Sequence, residues 1–177
     1  MINDIKKISV SEEQINEIVT KMGAQISIDF EGKNPIFIGL LKGTVPFMTD
    51  LLKHVTIPCT VDYIKVSSYS GTSSTGTVII KGDLPDVIDR YVVLLDDILD
   101  TGRTLKRVEE IIKNAGAKSV TIAVLLDKPE GRKVEIAAKY VGGLVPNEFV
   151  VGYGLDYNEQ YRNLPYIGVL KEEIYLK

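Results

Sequence analysis

One stretch constrains this chain more than any other: an apolar run that ends in acids and then in a helix start. Tyr91-Val-Val-Leu-Leu95 is followed by Asp96, Asp97 and Asp100, and then by Thr101, Gly102, Arg103 and Thr104. An unbroken apolar run is how a strand buried on both faces of a parallel sheet reads. Leu105, Val108, Ile111 and Ile112 then share one face of a helix expected from Thr104 to Ala115, with Gly116 as its natural C-cap.

The same alternation runs through the chain. Ser11 with Gln14 forms a capping-box pattern, and Ile15, Ile18, Val19, Met22 and Ile26 follow at helical spacing. Ile36–Leu41 reads as a buried strand, and Val45–Lys53 as a helix with Pro46 in its first turn. Residues 59–68, 78–80 and 119–126 read as strands, and "FVVGYG" and "IGVL" as two more near the C-terminus. Strands alternating with helices predict an α/β fold with a mostly parallel central sheet. With 177 residues and no visible linker, residues 1–177 are expected to form a single domain.

Composition removes several classes of function. The net charge of −3, from 21 basic and 24 acidic residues, argues against a broad nucleic-acid-binding face. Cys59 is the only cysteine, so no internal disulfide forms and a reducing cytoplasm fits. His54 is the only histidine, which argues against a His-based triad or a multi-His metal site. Asp4, Lys6 and Lys7 interrupt any signal-like apolar run, and no stretch reaches the ~20 apolar residues of a membrane span. A cytoplasmic protein acting on small molecules, with neither nucleic acid nor membrane as partner, is the expectation.

In open α/β sheets, ligands bind beyond the carboxyl ends of the strands, where Asp96 and Asp97 are expected. Successive strand residues point to opposite faces, so the two carboxylates can serve neighbouring hydroxyls but not one atom. The N–H groups of Thr101 to Thr104 lie at a helix N-terminus, a natural anion site. Gly102 lets the backbone approach closely, and Thr101 and Thr104 add hydroxyl donors. Other patterns fit less well. The Walker A spacing is absent, and "GYGLDY" fails the dinucleotide fingerprint at its third glycine. "ILDTG" matches the Asp-Thr-Gly of aspartic proteases, but it occurs once and a helix follows it. A helix N-cap dressed with acids is the plain alternative. "SSYSGTSSTGT", residues 67–77, has no aliphatic side chain; it reads as a solvated hairpin loop or as a lid that is mobile without a ligand.

"VVLLDDILDTGRT" resembles the phosphoribosyl-diphosphate signature of type I phosphoribosyltransferases. "LLKGT", "LLDKPE" and "NEFVVGYGLDYNEQYRNLPYIGVL" follow in family order, and with them the chain resembles hypoxanthine-guanine phosphoribosyltransferases over nearly its full length. The resemblance implies a small hood built from the N- and C-terminal segments. It implies transfer of 5-phosphoribose from its 1-diphosphate to a purine nitrogen, with Mg²⁺, in purine salvage. A xanthine-preferring relative, or a regulator that senses phosphoribosyl diphosphate, is the alternative.

Site roles follow by the same resemblance. Asp96 and Asp97 approach the ribose hydroxyls directly or through a metal-bound water; the family more often carries Glu at position 96. Asp100 is the general base at the purine N7, and Asp100 to Thr104 cradle the 5′-phosphate, with Arg103 at most a phosphate contact. Backbone N–H groups around Lys42 and Gly43 meet the diphosphate, beside a non-proline cis peptide between Leu41 and Lys42. Ser68 and Tyr69 belong to the lid. Lys128 donates to the purine O6, Phe149 stacks on the ring, and Val150 offers backbone groups to the base edge. Asp156 binds Mg²⁺ beside the purine, and Arg162 meets the diphosphate. A homodimer or homotetramer is the family habit.

Overall fold

Residues 1–68 and 78–176 are described by a computed structural model. The apolar run becomes β5 (Tyr91–Leu99), inside a six-stranded sheet. Its companions are β2 (Ile36–Leu41), β3 (Thr60–Ser68), β4 (Val78–Lys81), β6 (Ser119–Asp127) and β7 (Tyr140–Leu144). The order is β4-β3-β2-β5-β6-β7, parallel throughout except for antiparallel β4 at one edge. This is the expected α/β architecture.

Both faces of β5 are buried, which is why its apolar residues do not alternate with polar ones. Val93 and Leu95 face α1 (Glu12–Asp29) and α2 (Val45–Leu52), packing with Ile15, Val19, Ile26, Phe47 and Leu51. Val92 and Leu94 face α3 (Arg103–Asn114), packing with Leu105, Val108 and Ile112. The capping box that starts α1 is complete: the Gln14 N–H donates to Ser11 Oγ, and the Ser11 N–H donates to Gln14 Oε1 at 2.8 Å.

A second sheet forms the hood, with antiparallel order β1-β9-β8, from β1 (Ile5–Val10), β8 (Val150–Val151) and β9 (Ile167–Leu170). A four-residue helix, α4 (Glu172–Tyr175), follows. Tyr161 of the hood donates its hydroxyl to Asp4 at 3.0 Å. Tyr153 donates to Asp50 of α2 at 2.7 Å, tying the loop after β8 to the main body.

Two expectations need correction. Asp96 and Asp97 lie within β5 rather than beyond it, because β6 runs alongside far enough to pair Asp96 with Val124 and Leu99 with Asp127. "FVVGYG" forms a strand only at Val150–Val151. After it Gly152, Tyr153 and Gly154 take φ of +101°, +48° and +99°, three successive positive values that end the extended strand. Strands β1 and β7 were not legible in the sequence, since "IKKISV" and "YVGGL" lack the apolar pattern of a buried strand.

Candidate active site

Gly102 ends the loop after β5 at φ +78° and serves as N-cap of α3 without a side-chain cap, so the first N–H groups of the helix point outward as donors. A cavity of about 130 Å³ opens there, lined by Asp96, Asp100, Thr101, Gly102 and Thr104. Asp97 lies against the β2–α2 loop. A Cβ on Gly43 would stand 1.7 Å from Asp97 Oδ2, so only glycine lets this loop lie on the carboxylate. Strand alternation alone would send the two acids to opposite faces, but the Asp96 carboxyl also reaches Asp97 and Thr44, so the pair lies together against this loop. Burial, then the neighbouring charge of Asp97, holds the Asp96 carboxyl well above the usual carboxylate range. Burial also pushes Asp97 up, opposed by hydrogen bonds such as the Ile98 N–H at 2.8 Å and by the charge of Arg162.

Asp100 stands just past the end of β5, with its Oδ2 3.7 Å from Lys128 Nζ. The Lys128 N–H donates to Leu99 O at 3.0 Å, which holds the strand end of β6 beside that of β5. A Cβ on Gly131 would lie 1.8 Å from Asp100 Oδ1, so a side chain there would displace the Asp100 carboxylate.

Leu41–Lys42 is a cis peptide, as the resemblance implied. The Gly43 carbonyl lies 2.0 Å from where a Cβ on Gly154 would stand, so the β2–α2 loop and the loop after β8 are in backbone contact. Around that contact Arg162 donates to Gly154 O at 2.7 Å and pairs with Asp156 at 2.8 Å. The other Asp156 oxygen accepts the Glu159 N–H at 2.9 Å. Phe149 is half-buried, with its ring stacked on Tyr175 at 4.9 Å and edge-on to Tyr157 at 5.7 Å. The Leu170 N–H donates to Phe149 O at 2.8 Å, which makes Val150 and Val169 a non-hydrogen-bonded pair. Val150 therefore turns its N–H and C=O away from β9, on the edge strand of the hood.

The acids, the phosphate loop, Lys128, the Lys42–Gly43 loop, Asp156 and Arg162 thus gather at the carboxyl edge of the sheet, under the hood. Arg103 is exposed on the first turn of α3. Ser68 ends β3 by its backbone pairing with Val78, while Tyr69 and the lid reading of residues 69–77 lie outside the described residues.

Arg132 escaped the sequence reading. Its Nε donates to Asp100 O at 3.0 Å, Nη1 to Ile136 O at 2.7 Å, and Nη2 to Leu99 O at 3.2 Å and to the Asp127 carboxylate. One planar guanidinium thereby fixes the carbonyl of the candidate base from behind. No local motif marks it; only its proximity to "LLDKPE" was available as a signal.

A mostly parallel sheet whose central strand carries two acids into an uncapped helix start, beneath a small antiparallel hood, defines a type I phosphoribosyltransferase. A family model described as "Phosphoribosyl transferase domain" matches residues 11–158. The chain is 56% identical over 175 residues to a hypoxanthine-guanine phosphoribosyltransferase of Streptococcus pneumoniae, covering 98% of this chain and 97% of that protein. It is 54% identical over 177 residues to the protein of the same name in Streptococcus agalactiae, covering 99% and 98%. A crystal structure of a hypoxanthine phosphoribosyltransferase from Staphylococcus aureus superposes with a TM-score of 0.95 at 48% identity, covering 99% of this chain and 96% of that one. The chain belongs to the hypoxanthine-guanine phosphoribosyltransferase family. It is a purine-salvage transferase, and enzymes of this family use a divalent metal.

Proposed function

We propose a division of labour for the transfer of 5-phosphoribose from its 1-diphosphate to hypoxanthine or guanine, giving IMP or GMP and diphosphate. The α3 N-terminus takes the 5′-phosphate, with Thr101 and Thr104 as hydroxyl donors and Arg103 at its rim. Asp96 and Asp97 serve the ribose hydroxyls. Asp100 shares the proton at the purine N7, and Lys128 donates to O6. One observation carries this reading: a carboxylate and an ammonium 3.7 Å apart, at adjacent strand ends. N7 and O6 are neighbours on one edge of a 6-oxopurine, and such a pair suits that edge. An exocyclic amino group in place of O6 would leave Lys128 without an acceptor, which disfavours adenine.

Phe149 stacks on the base, and the outward backbone groups of Val150 meet its edge. Lys42, Gly43 and Arg162 receive the diphosphate, with Ser68 and Tyr69 assigned to the same ligand by resemblance. Magnesium suits the donor set, because Asp96, Asp97 and Asp156 offer hard oxygens and the first two are a half-buried pair whose charges oppose each other. Among the described residues no cluster of three or more His, Cys, Asp or Glu is placed to hold an ion, so substrate and water complete its shell. When bound, the ion offsets the diphosphate charge that the acids would otherwise repel. We read residues 1–177 as one such domain, acting in the cytoplasm as a homodimer or homotetramer.

Incubation with phosphoribosyl diphosphate, Mg²⁺ and each of hypoxanthine, guanine, xanthine and adenine tests the reading. Nucleotide absorbance is expected with the first two. Preference for xanthine, or binding of the sugar diphosphate with no nucleotide from any base, would select an alternative. The transferase names of the relatives favour the main reading.

A further inference from the structure

Both side-chain cations of the proposed diphosphate site already face a carboxylate. Lys42 Nζ lies 2.8 Å from Glu159 Oε2, and Arg162 Nη2 lies 3.5 Å from Glu159 Oε1. One carboxylate therefore bridges two loops that are 117 residues apart at the Lys42 pair.

Glu159 reaches this position through an uncommon backbone. Asn158 and Glu159 have φ of +50° and +62°, in the left-handed region that side chains other than glycine rarely adopt. The turn is held by the Glu159 N–H donating to the Asp156 side chain and by the paired main-chain bonds between Tyr157 and Gln160. The Glu159 side chain is not needed to close it. Arg162 meanwhile keeps one donor in reserve, since its Nε is buried and finds no partner among the described residues. A buried unpaired donor on a guanidinium is costly unless an acceptor reaches it.

We propose that Glu159 is an internal competitor for diphosphate: its two carboxylate oxygens stand where two oxygens of the ligand would meet Lys42 and Arg162. This rests on the reading that Arg162 and the Lys42–Gly43 loop receive the diphosphate, and it adds the Lys42 ammonium to that loop's backbone donors. The ligand prevails because it carries more charge than one carboxylate and also satisfies the Arg162 Nε. Glu159 neutralises two cations on facing loops between turnovers and returns to them as product leaves. A carboxylate that merely stabilised the loop would, on removal, weaken anion binding, whereas removal of a competitor strengthens it.

The test is calorimetric titration of the full chain with inorganic diphosphate in MgCl₂, for the wild type, Glu159→Gln, Glu159→Ala and Arg162→Gln. Both Glu159 variants are expected to bind about three- to tenfold more tightly, the range set by losing two exposed ion pairs. The KM for phosphoribosyl diphosphate falls with it, while the KM for hypoxanthine stays. If Arg162→Gln weakens binding but the Glu159 variants bind no more tightly than wild type, the competitor is refuted and the diphosphate site stands. If wild type and Arg162→Gln bind alike, the underlying site assignment fails, and the competitor with it.

Discussion

Replacing Arg132 by alanine removes four hydrogen bonds and no apolar core. Three backbone carbonyls and the Asp127 carboxylate lose a donor. Leu99 O keeps the Lys128 N–H at 3.0 Å, so three acceptors are left short: Asp100 O, Ile136 O and Asp127. Each such loss costs about 1 kcal/mol when partly buried, so about 2–4 kcal/mol is expected after allowing for solvent at a side chain that is 19% exposed. With a urea m-value of about 2 kcal/mol/M for a domain of this size, the midpoint should fall by roughly 1–2 M. Stability alone does not distinguish a brace from any buried arginine. Arg132 holds the carbonyl of Asp100, so its loss should also misplace the base and the phosphate loop. A displacement near 1 Å can cost about 100-fold in rate, and kcat should fall about 10- to 100-fold at temperatures where the variant remains folded. Arg132→Lys keeps the charge but not the planar fork, and should recover part of the stability with little of the kcat. Urea denaturation and steady-state kinetics read both quantities. A variant that loses 1 M or more in midpoint yet turns over within about twofold of wild type would refute the positioning role.

Asp100→Asn should leave binding of phosphoribosyl diphosphate within a few-fold while slowing turnover by about 100- to 10,000-fold, the usual range for a lost proton-transfer group; unchanged turnover removes Asp100 from the base role. Gly43→Ala places a methyl 1.7 Å from Asp97 Oδ2, so kcat/KM should fall at least about tenfold; unaltered kinetics would mean that the loop yields. Asp29 binds Lys139 at 2.7 Å and accepts from Tyr140 and Gln25, and these hydrogen bonds lower its pKa from 3.8 to about 2. Its stabilising contribution is thus complete above its ordinary pKa and is lost as pH falls towards about 2. Asp29→Asn should flatten the fall in stability below pH 3.8, measured by urea midpoints across acid pH; an unchanged acid slope would count against this linkage.

How much of this was legible in the sequence follows from the range of each interaction. A strand buried on both faces advertises itself in consecutive apolar residues, and the register of a capped helix is written within four positions. Hence β2, β5, β6 and α1 to α3 were readable within a few residues, and with them the acids and the phosphate loop. Their chemistry depends on neighbours in the chain, and the family resemblance supplied the rest of the ligand set. The tertiary structure alone decided how far β5 runs, because pairing with β6 carries it through Asp96 to Leu99. It alone brought Arg132 beneath Asp100, Tyr153 onto Asp50, and Glu159 between Lys42 and Arg162. Those contacts join residues that share no local period, and a polar side chain looks the same in sequence whether solvent or a distant loop satisfies it. The sheet order and the β1-β9-β8 pairing inside the hood have the same origin: pairing between distant strands depends on the whole arrangement of the chain, which no short window records.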